Sequence, residues 1–255
     1  MLRLLKNLGV KEIIRLRQKA DTLAERNEKL KAQVAELRER LAKVRQGDAG
    51  IDPAGHNTAA GMDDFFAVVA NPTPYREFAA ALRPVLERHG VLLDGARIMD
   101  AGIGPGLMLR ELVSGRRPAS IAGVDFSAEA LRHAAEAIPE GTFRRHDLYE
   151  PLDGEYDVVI CTEVLEHLQS PGRAMRTLLD ALAPSGALVL TVPDGRVDYS
   201  RYHVNFWSPE SWKAFVEDAA PGCRIAFDRF RIRERSHYEN NAAIVRKDGQ
   251  RAPIS

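Results

Sequence analysis

Two cysteines in 255 residues, Cys161 and Cys223, are too few for a disulfide scaffold and favour a reducing compartment. There is no run of about 18 apolar residues, which excludes a membrane-spanning helix. A signal peptide with a small-residue cleavage site is also absent, so the expected location is cytoplasmic. Disorder along the whole chain is excluded by a 45% hydrophobic content. Net charge is lacking as well, with 36 Lys+Arg against 36 Asp+Glu, but the balance hides an asymmetry. Residues 1–47 hold 13 basic and 6 acidic residues, leaving 23 basic and 30 acidic for the rest. A basic arm is thus joined to an acidic body.

From Glu12 to Gln46 the arm has no proline or glycine. Its apolar residues recur every seven positions, Ile13, Ala20, Val34 and Leu41 in one set and Leu16, Leu23, Leu30, Leu37 and Val44 in the other. These are the a and d seams of a coiled coil, and Asn27 at an a position can pair with its twin in a parallel, in-register dimer. Of the g-to-e pairs, Arg26/Lys31 and Arg40/Arg45 repel in a homodimer, which keeps a heteromeric, acidic partner coil open. The apolar start MLRLLKNLGV, with Arg3 and Lys6, is able to rest on an anionic membrane surface, so the inner face of a membrane stays a possible location. No dense Lys/Arg run precedes the zipper, which argues against a groove-binding basic region and a nucleic-acid partner. Gly47 to Gly61 is rich in Gly, Ala, Pro and Asp. The expected organisation is a coiled-coil helix over 1–47, a linker over 48–61 and a globular domain over 62–255.

The body alternates strands and helices. Thr73-Pro74 reads as an N-cap and N1 pair opening a helix to about His89. Strands are expected at Arg97–Ala101, Ser120–Asp125, Thr142–His146, Tyr156–Cys161 and Gly186–Val192, with helices Leu107–Ser114, Ser127–Ala137 and Pro171–Ala183 between them. Ser208-Pro209 opens a further helix, and two strand-like runs, Arg224–Arg233 and Tyr238–Arg246, close the chain. This alternation predicts an α/β fold, a parallel sheet covered by helices on both faces.

Three glycines at alternate positions follow the first strand, in Asp100-Ala-Gly102-Ile-Gly104-Pro-Gly106. They allow a tight turn and close backbone approach to a ligand. The spacing is not G-x-G-x-x-G, which disfavours a dinucleotide. Asp100 sets a carboxylate just before the loop, and Asp125 ends the second strand, where an acid can accept both hydroxyls of a ribose.

With His146-Asp147 after the third strand, Asp157-Val-Val in the fourth and Leu182-x-Pro184-x-Gly186 before the fifth, the chain resembles the class I S-adenosylmethionine-dependent methyltransferases over roughly residues 70 to 247. The resemblance implies a doubly wound, Rossmann-like sheet of seven strands with its last pair antiparallel. It further implies S-adenosylmethionine as cofactor. Gly102, Gly104 and Gly106 would line the methionine part, with Asp100 near the ammonium. Asp125 would hold the ribose, Phe126 would lie against the adenine, and Asp147 and Leu148 would meet its edge.

Glu163, Glu166 and His167, at i, i+3 and i+4, would share one face if helical. His167 or His203 is a candidate general base for an acceptor hydroxyl. Alternatively, Glu163, Glu166, His167 and His203 together hold a divalent metal. Glu-x-x-Glu-His segments are similar to those of ubiquinone-pathway O-methyltransferases and, with a later histidine, of metal-dependent methyltransferases of small-RNA ends. The run His203-Val-Asn-Phe-Trp-Ser-Pro-Glu-Ser-Trp212 resembles a loop of methyltransferases of sugar and polysaccharide biosynthesis, where Tyr202, Phe206 and Trp207 would stack on a sugar ring. The expected function is O-methylation of a sugar or polysaccharide-related substrate, a small molecule or a glycan. A metal-assisted RNA 2′-O-methyltransferase is the alternative, disfavoured by the acidic body, and a catalytically silent scaffold is a third reading.

Overall fold

The computed structural model describes residues 57–67, 71–200, 202–232 and 239–247, with Lys19, Leu23 and Lys31 as isolated helical positions. Its contacts divide the chain into Met1–Ile51 and Asp52–Ser255. The coiled coil, its dimer and the amphipathic start fall outside the described residues. No helix among the described residues is long and apolar enough to cross a membrane.

The body is built from α1 (Ala59–Phe66), α2 (Thr73–Arg88), β1 (Arg97–Ala101), α3 (Leu107–Val113), β2 (Ser120–Asp125), α4 (Ala128–Ala137) and β3 (Thr142–Arg145). Then follow β4 (Tyr156–Thr162), a 3₁₀ turn (Leu165–His167), α5 (Pro171–Asp180), β5 (Leu182–Pro193), α6 (Pro209–Ala219), β6 (Cys223–Arg231) and β7 (Glu239–Lys247). The seven strands form one sheet in the order β3-β2-β1-β4-β5-β7-β6. Strands β1 to β5 run parallel, and β7 is antiparallel to both β5 and β6.

The period-two side-chain alternation of strands divides the core in two. In β4, Val158 and Ile160 join the layer with Leu82 of α2 and Leu109 of α3, whereas Val159 and Cys161 join Met175 of α5 and Trp212 of α6. Asp157 closes the far end of β4 by taking both Nε and Nη2 of Arg97 at 3.0 and 2.9 Å, tying β4 to β1. The parallel register brings the carboxyl ends of β1, β2 and β4 level, the edge at which open α/β sheets bind ligands.

Several boundaries differ from the sequence reading by a residue or two, and three of the differences bear on the fold. Thr73 is the first helical residue of α2, not its cap, and its N–H donates to Asn71 Oδ1 at 3.0 Å. Helix α5 stops at Asp180, because the chain re-enters the sheet at Leu182 opposite Tyr156 and then shifts register. Gly186 permits that shift, since a Cβ there would meet the Tyr156 carbonyl at 2.9 Å. The expected linker also ends early. Thr58 accepts from Gly61 N and caps α1, so residues 58–61 belong to the folded body.

Candidate active site

The three loop glycines all have left-handed backbones, φ +80° at Gly102, +55° at Gly104 and +71° at Gly106, and their surroundings differ. Gly102 and Ile103 donate to the Val124 carbonyl at 2.8 and 3.0 Å, which fastens the loop to β2. A Cβ on Gly102 would stand 2.4 Å from Val164 Cγ2, so the glycine lets the loop after β4 close against it. Gly104 N–H donates to Asp125 Oδ2 at 2.9 Å. At Gly106 a Cβ would press on Ala134 of α4, 3.0 Å from its Cα, so the third glycine serves helix packing.

Asp125 is buried, and its second oxygen accepts from Ser127 N at 2.9 Å. Burial raises its pKa, against the opposing pull of the Ser127 and Gly104 N–H groups. Each oxygen keeps a further lone pair for a ligand hydroxyl. Asp100 is 1% exposed, and neither of its oxygens has a hydrogen-bond partner among the described residues. Burial, with the Asp125 charge second, pushes its pKa up to about 8.

Helix α1 is held beside this loop by Asp63, which accepts from Ser127 Oγ at 2.5 Å and Glu129 N at 3.1 Å and so caps α4. Those bonds, the Ser127 one foremost, lower the Asp63 pKa. At the end of β3, Arg145 Nε donates to the Phe126 carbonyl at 2.9 Å. Asp147 Oδ1 accepts from Tyr149 N at 2.9 Å, a local turn bond.

Beyond β4 the helical face expected for Glu163, Glu166 and His167 does not form. Glu163 itself has φ +55°, the one non-glycine residue with positive φ among those described, a conformation that costs about 1–3 kcal/mol. It is fixed by its N–H to the Thr191 carbonyl at 3.0 Å and by Thr191 Oγ1 donating to Oε1 at 2.9 Å. The next residues make only a 3₁₀ turn, and Glu166 points inward, 1% exposed. The 202–205 loop is sewn onto that turn. Val204 and Asn205 donate to the Glu166 carbonyl at 2.8 and 3.1 Å, and Asn205 Nδ2 donates to the Leu165 and Leu168 carbonyls.

This brings His203 to His167, with ring centroids 4.6 Å apart and planes at 87°. Nδ1 of His167 lies 3.2 Å from the Tyr202 carbonyl, which also receives Asn57 Nδ2 at 2.9 Å. Nδ1 of His203 is bonded to Asp198 Oδ2. Of the four metal-ligand candidates, Glu166, His167 and His203 each place a ligand atom within 4.8 Å of the others. Glu163 is not in that group. Burial, with the Glu163 charge second, raises the Glu166 pKa well above the carboxylate range.

A cavity of about 670 Å³ opens at these strand ends. One side of its lining is Gly102, Gly104, Asp125, Phe126, Asp147 and Leu148, and another is Glu163, Val164, His167 and Leu168. Asn57, Thr58, Ala59, Met62 and Phe66 close it from α1. Asp100, Gly106 and His203 are not among the lining residues. Trp207 was expected at a substrate ring. It is instead buried against Trp212 and Phe215 at 5.5 and 5.0 Å, because it leads into the Ser208 cap of α6. Phe206 remains 46% exposed. Sequence reasoning missed Asn57, Met62, Asp63, Phe66, Thr191 and Asp198. The apolar Met62 and Phe66 beside a Thr58 cap were the available signal for α1.

A family model described as a methyltransferase domain matches residues 27–220. A ubiquinone biosynthesis O-methyltransferase from Alkalilimnicola ehrlichii is 33% identical over 106 residues, 39% of this chain and 42% of that protein. A trans-aconitate 2-methyltransferase from Variovorax paradoxus is 33% identical over 132 residues, 49% of this chain and 51% of that protein. The chain thus spans about half the length of the curated relatives it matches. The solved magnesium protoporphyrin IX methyltransferase from Synechocystis PCC 6803, with bound SAH, shares the fold at a TM-score of 0.53 and 21% identity, over 68% of this chain and 83% of that one. With the family model covering most of its length and the sheet, glycine loop and acidic strand ends in place, this chain belongs to the methyltransferase-domain family.

Proposed function

We propose that this chain is an S-adenosylmethionine-dependent methyltransferase that methylates an oxygen of a small-molecule acceptor. One observation carries this reading: a single cavity joins the glycine loop, Asp125 and Phe126 on one side to Glu163 and His167 on the other. The residues present fit the cofactor. Gly102 and Gly104 bring bare backbone to the cavity wall, and Asp100 at the end of β1 is a buried carboxyl without a partner among the described residues. When bound, S-adenosylmethionine supplies a methyl group on a positively charged sulfur, already activated for in-line displacement.

Little covalent chemistry is left to the protein, which orients the two partners and makes the acceptor oxygen nucleophilic. Asp125 would receive the ribose hydroxyls on its remaining lone pairs, and Phe126 and Leu148 would cover the base. Met62 and Phe66 of α1 line the same cavity and would help to exclude water from it. His167 is the group through which the acceptor oxygen is activated. The Tyr202 carbonyl can only accept, so it holds the proton on His167 Nδ1 and leaves Nε2 as the lone-pair nitrogen of the neutral ring. His203 stands behind it and Glu163 beside it on the cavity wall. The O-methyltransferase and trans-aconitate methyltransferase names of the relatives support an oxygen acceptor of small size.

The test is calorimetric titration of the full chain with S-adenosylhomocysteine, then transfer of labelled methyl to a panel of phenols, catechols and polycarboxylates. Saturable binding with a methylated oxygen product is expected. No binding at millimolar ligand would leave a silent scaffold instead.

A further inference from the structure

We infer that Glu166, His167 and His203 bind one divalent transition-metal ion, of which Zn²⁺ matches the donors best. The three side chains come from two separate segments, and a ligand atom of each lies within 4.8 Å of the other two. Glu166 is 1% exposed, and neither carboxylate oxygen has a hydrogen-bond partner among the described residues. A carboxyl group buried this completely is normally paired, hydrogen-bonded or coordinated to a metal.

Both histidines are already set as ligands. Nδ1 of His167 faces the Tyr202 carbonyl at 3.2 Å, and Nδ1 of His203 is bonded to the buried carboxylate of Asp198. A carbonyl or carboxylate on one ring nitrogen directs the lone pair of the neutral ring to the other, here Nε2. This is how metal-binding histidines are oriented and made more basic.

The donor set points to a transition-metal ion over Mg²⁺ or Ca²⁺. Mg²⁺ and Ca²⁺ favour all-oxygen shells, whereas two imidazoles and one carboxylate with an open fourth position suit Zn²⁺. Glu163 is excluded as a ligand by its place outside the cluster and its bond from Thr191 at 2.9 Å. Because His167 lines the cavity, the open position falls on the acceptor side. Resting on the methyl-transfer reading above, the ion is the Lewis acid that activates the acceptor oxygen.

The test strips the untagged full chain with a chelator and titrates it with Zn²⁺ against a chromophoric competitor, and with Co²⁺ for visible absorption. One ion per chain is expected, with Co²⁺ bands of low coordination number. Glu166→Gln and His203→Gln should each weaken Zn²⁺ binding by about 100-fold or more, and Asp198→Asn by about 10–100-fold, the range for partners that orient a ligand. Glu163→Gln removes a neighbouring charge but no ligand, and should change metal affinity far less than either ligand substitution. S-adenosylhomocysteine affinity, measured for every variant, reports that the fold is intact. A chain that binds S-adenosylhomocysteine but takes up no stoichiometric Zn²⁺ would overturn the metal site and leave the methyl-transfer reading standing, as would Glu166→Gln with full metal affinity. Loss of metal in Glu163→Gln would overturn the three-ligand set. Zn²⁺ binding without S-adenosylhomocysteine binding would sink the methyl-transfer reading alone.

Discussion

Asp100→Asn should stabilise the ligand-free chain, increasingly so as pH rises. Asp100 carries two buried oxygens without partners among the described residues, and its carboxyl is pushed from 3.8 up to about 8. Between those pH values the folded chain retains a proton that the unfolded chain has released. Stability therefore falls as pH rises through this window, and the loss is complete above about pH 8. Each tenfold change in proton affinity is worth about 1.4 kcal/mol, so the ionised carboxylate costs the fold about 6 kcal/mol. Asparagine has nearly the same shape and never ionises. Its own unpaired amide costs the same at every pH and drops out of the comparison. The stability difference between variant and parent should thus widen by several kcal/mol from about pH 4.5 to about pH 8.5. Urea unfolding at a series of pH values, without ligand, measures it. A difference constant to within about 1 kcal/mol over that range would refute the buried, unpaired state of Asp100. The same substitution should weaken S-adenosylhomocysteine binding by about tenfold or more, because a charge-assisted contact to the ammonium is lost.

Asp125→Ala should weaken S-adenosylhomocysteine by about 1.5–3 kcal/mol in calorimetry. It should also lower stability, since Gly104 and Ser127 both lose their acceptor. His167→Ala should lower kcat by about 10²- to 10⁴-fold with cofactor affinity preserved, and a rate within threefold of the parent would remove it from acceptor activation. Gly106→Ala and Gly115→Ala both force alanine into a left-handed backbone, but only the first meets another atom within 4 Å. Gly106→Ala should therefore be the more destabilising by about 1–3 kcal/mol, the range for overpacking. Equal losses in urea unfolding would show that Gly106 is not a packing glycine.

The sheet was legible because its signals are local. Strand β1, Arg97–Ala101, and strand β2, Ser120–Asp125, are apolar runs closed by glycine or acid, and their bounds agree with the sequence reading. The family was legible because the glycine loop and Asp125 sit at fixed chain distances. What could not be read depended on long-range closure. No local pattern tells that α1 reaches α4 through Asp63, 64 residues before Ser127. Helical spacing at Glu163, Glu166 and His167 misled because the chain end of β4 is pinned to Thr191 in a left-handed turn, which leaves room only for a 3₁₀ turn. Trp207 misled because a large aromatic beside polar residues is equally suited to a substrate or to a core, and its neighbours Trp212 and Phe215 decide for the core.

Three features that oppose stability share one edge of the sheet. Asp100 ends β1 without partners, Glu163 ends β4 in a strained backbone, and Glu166 follows it as a buried carboxyl with no hydrogen bond among the described residues. Carboxylates elsewhere are paired, as Asp157 is with Arg97 and Asp194 with Arg196 and Arg229. A sheet able to pair Asp157 so fully gains nothing in stability from orphaned carboxylates at its other end. Their concentration there is explained if ligands complete them, a cationic cofactor at Asp100 and a metal ion at Glu166. Glu163, held by Thr191 on the cavity wall, then keeps the acceptor side in place. On this account the two orphaned groups answer to different ligands. S-adenosylhomocysteine alone should raise the unfolding temperature most at pH values where Asp100 is ionised, and Zn²⁺ should add its own increment in the presence of saturating S-adenosylhomocysteine, since each ligand binds only the folded chain. A Zn²⁺ increment that survives in Glu166→Gln would place the ion elsewhere.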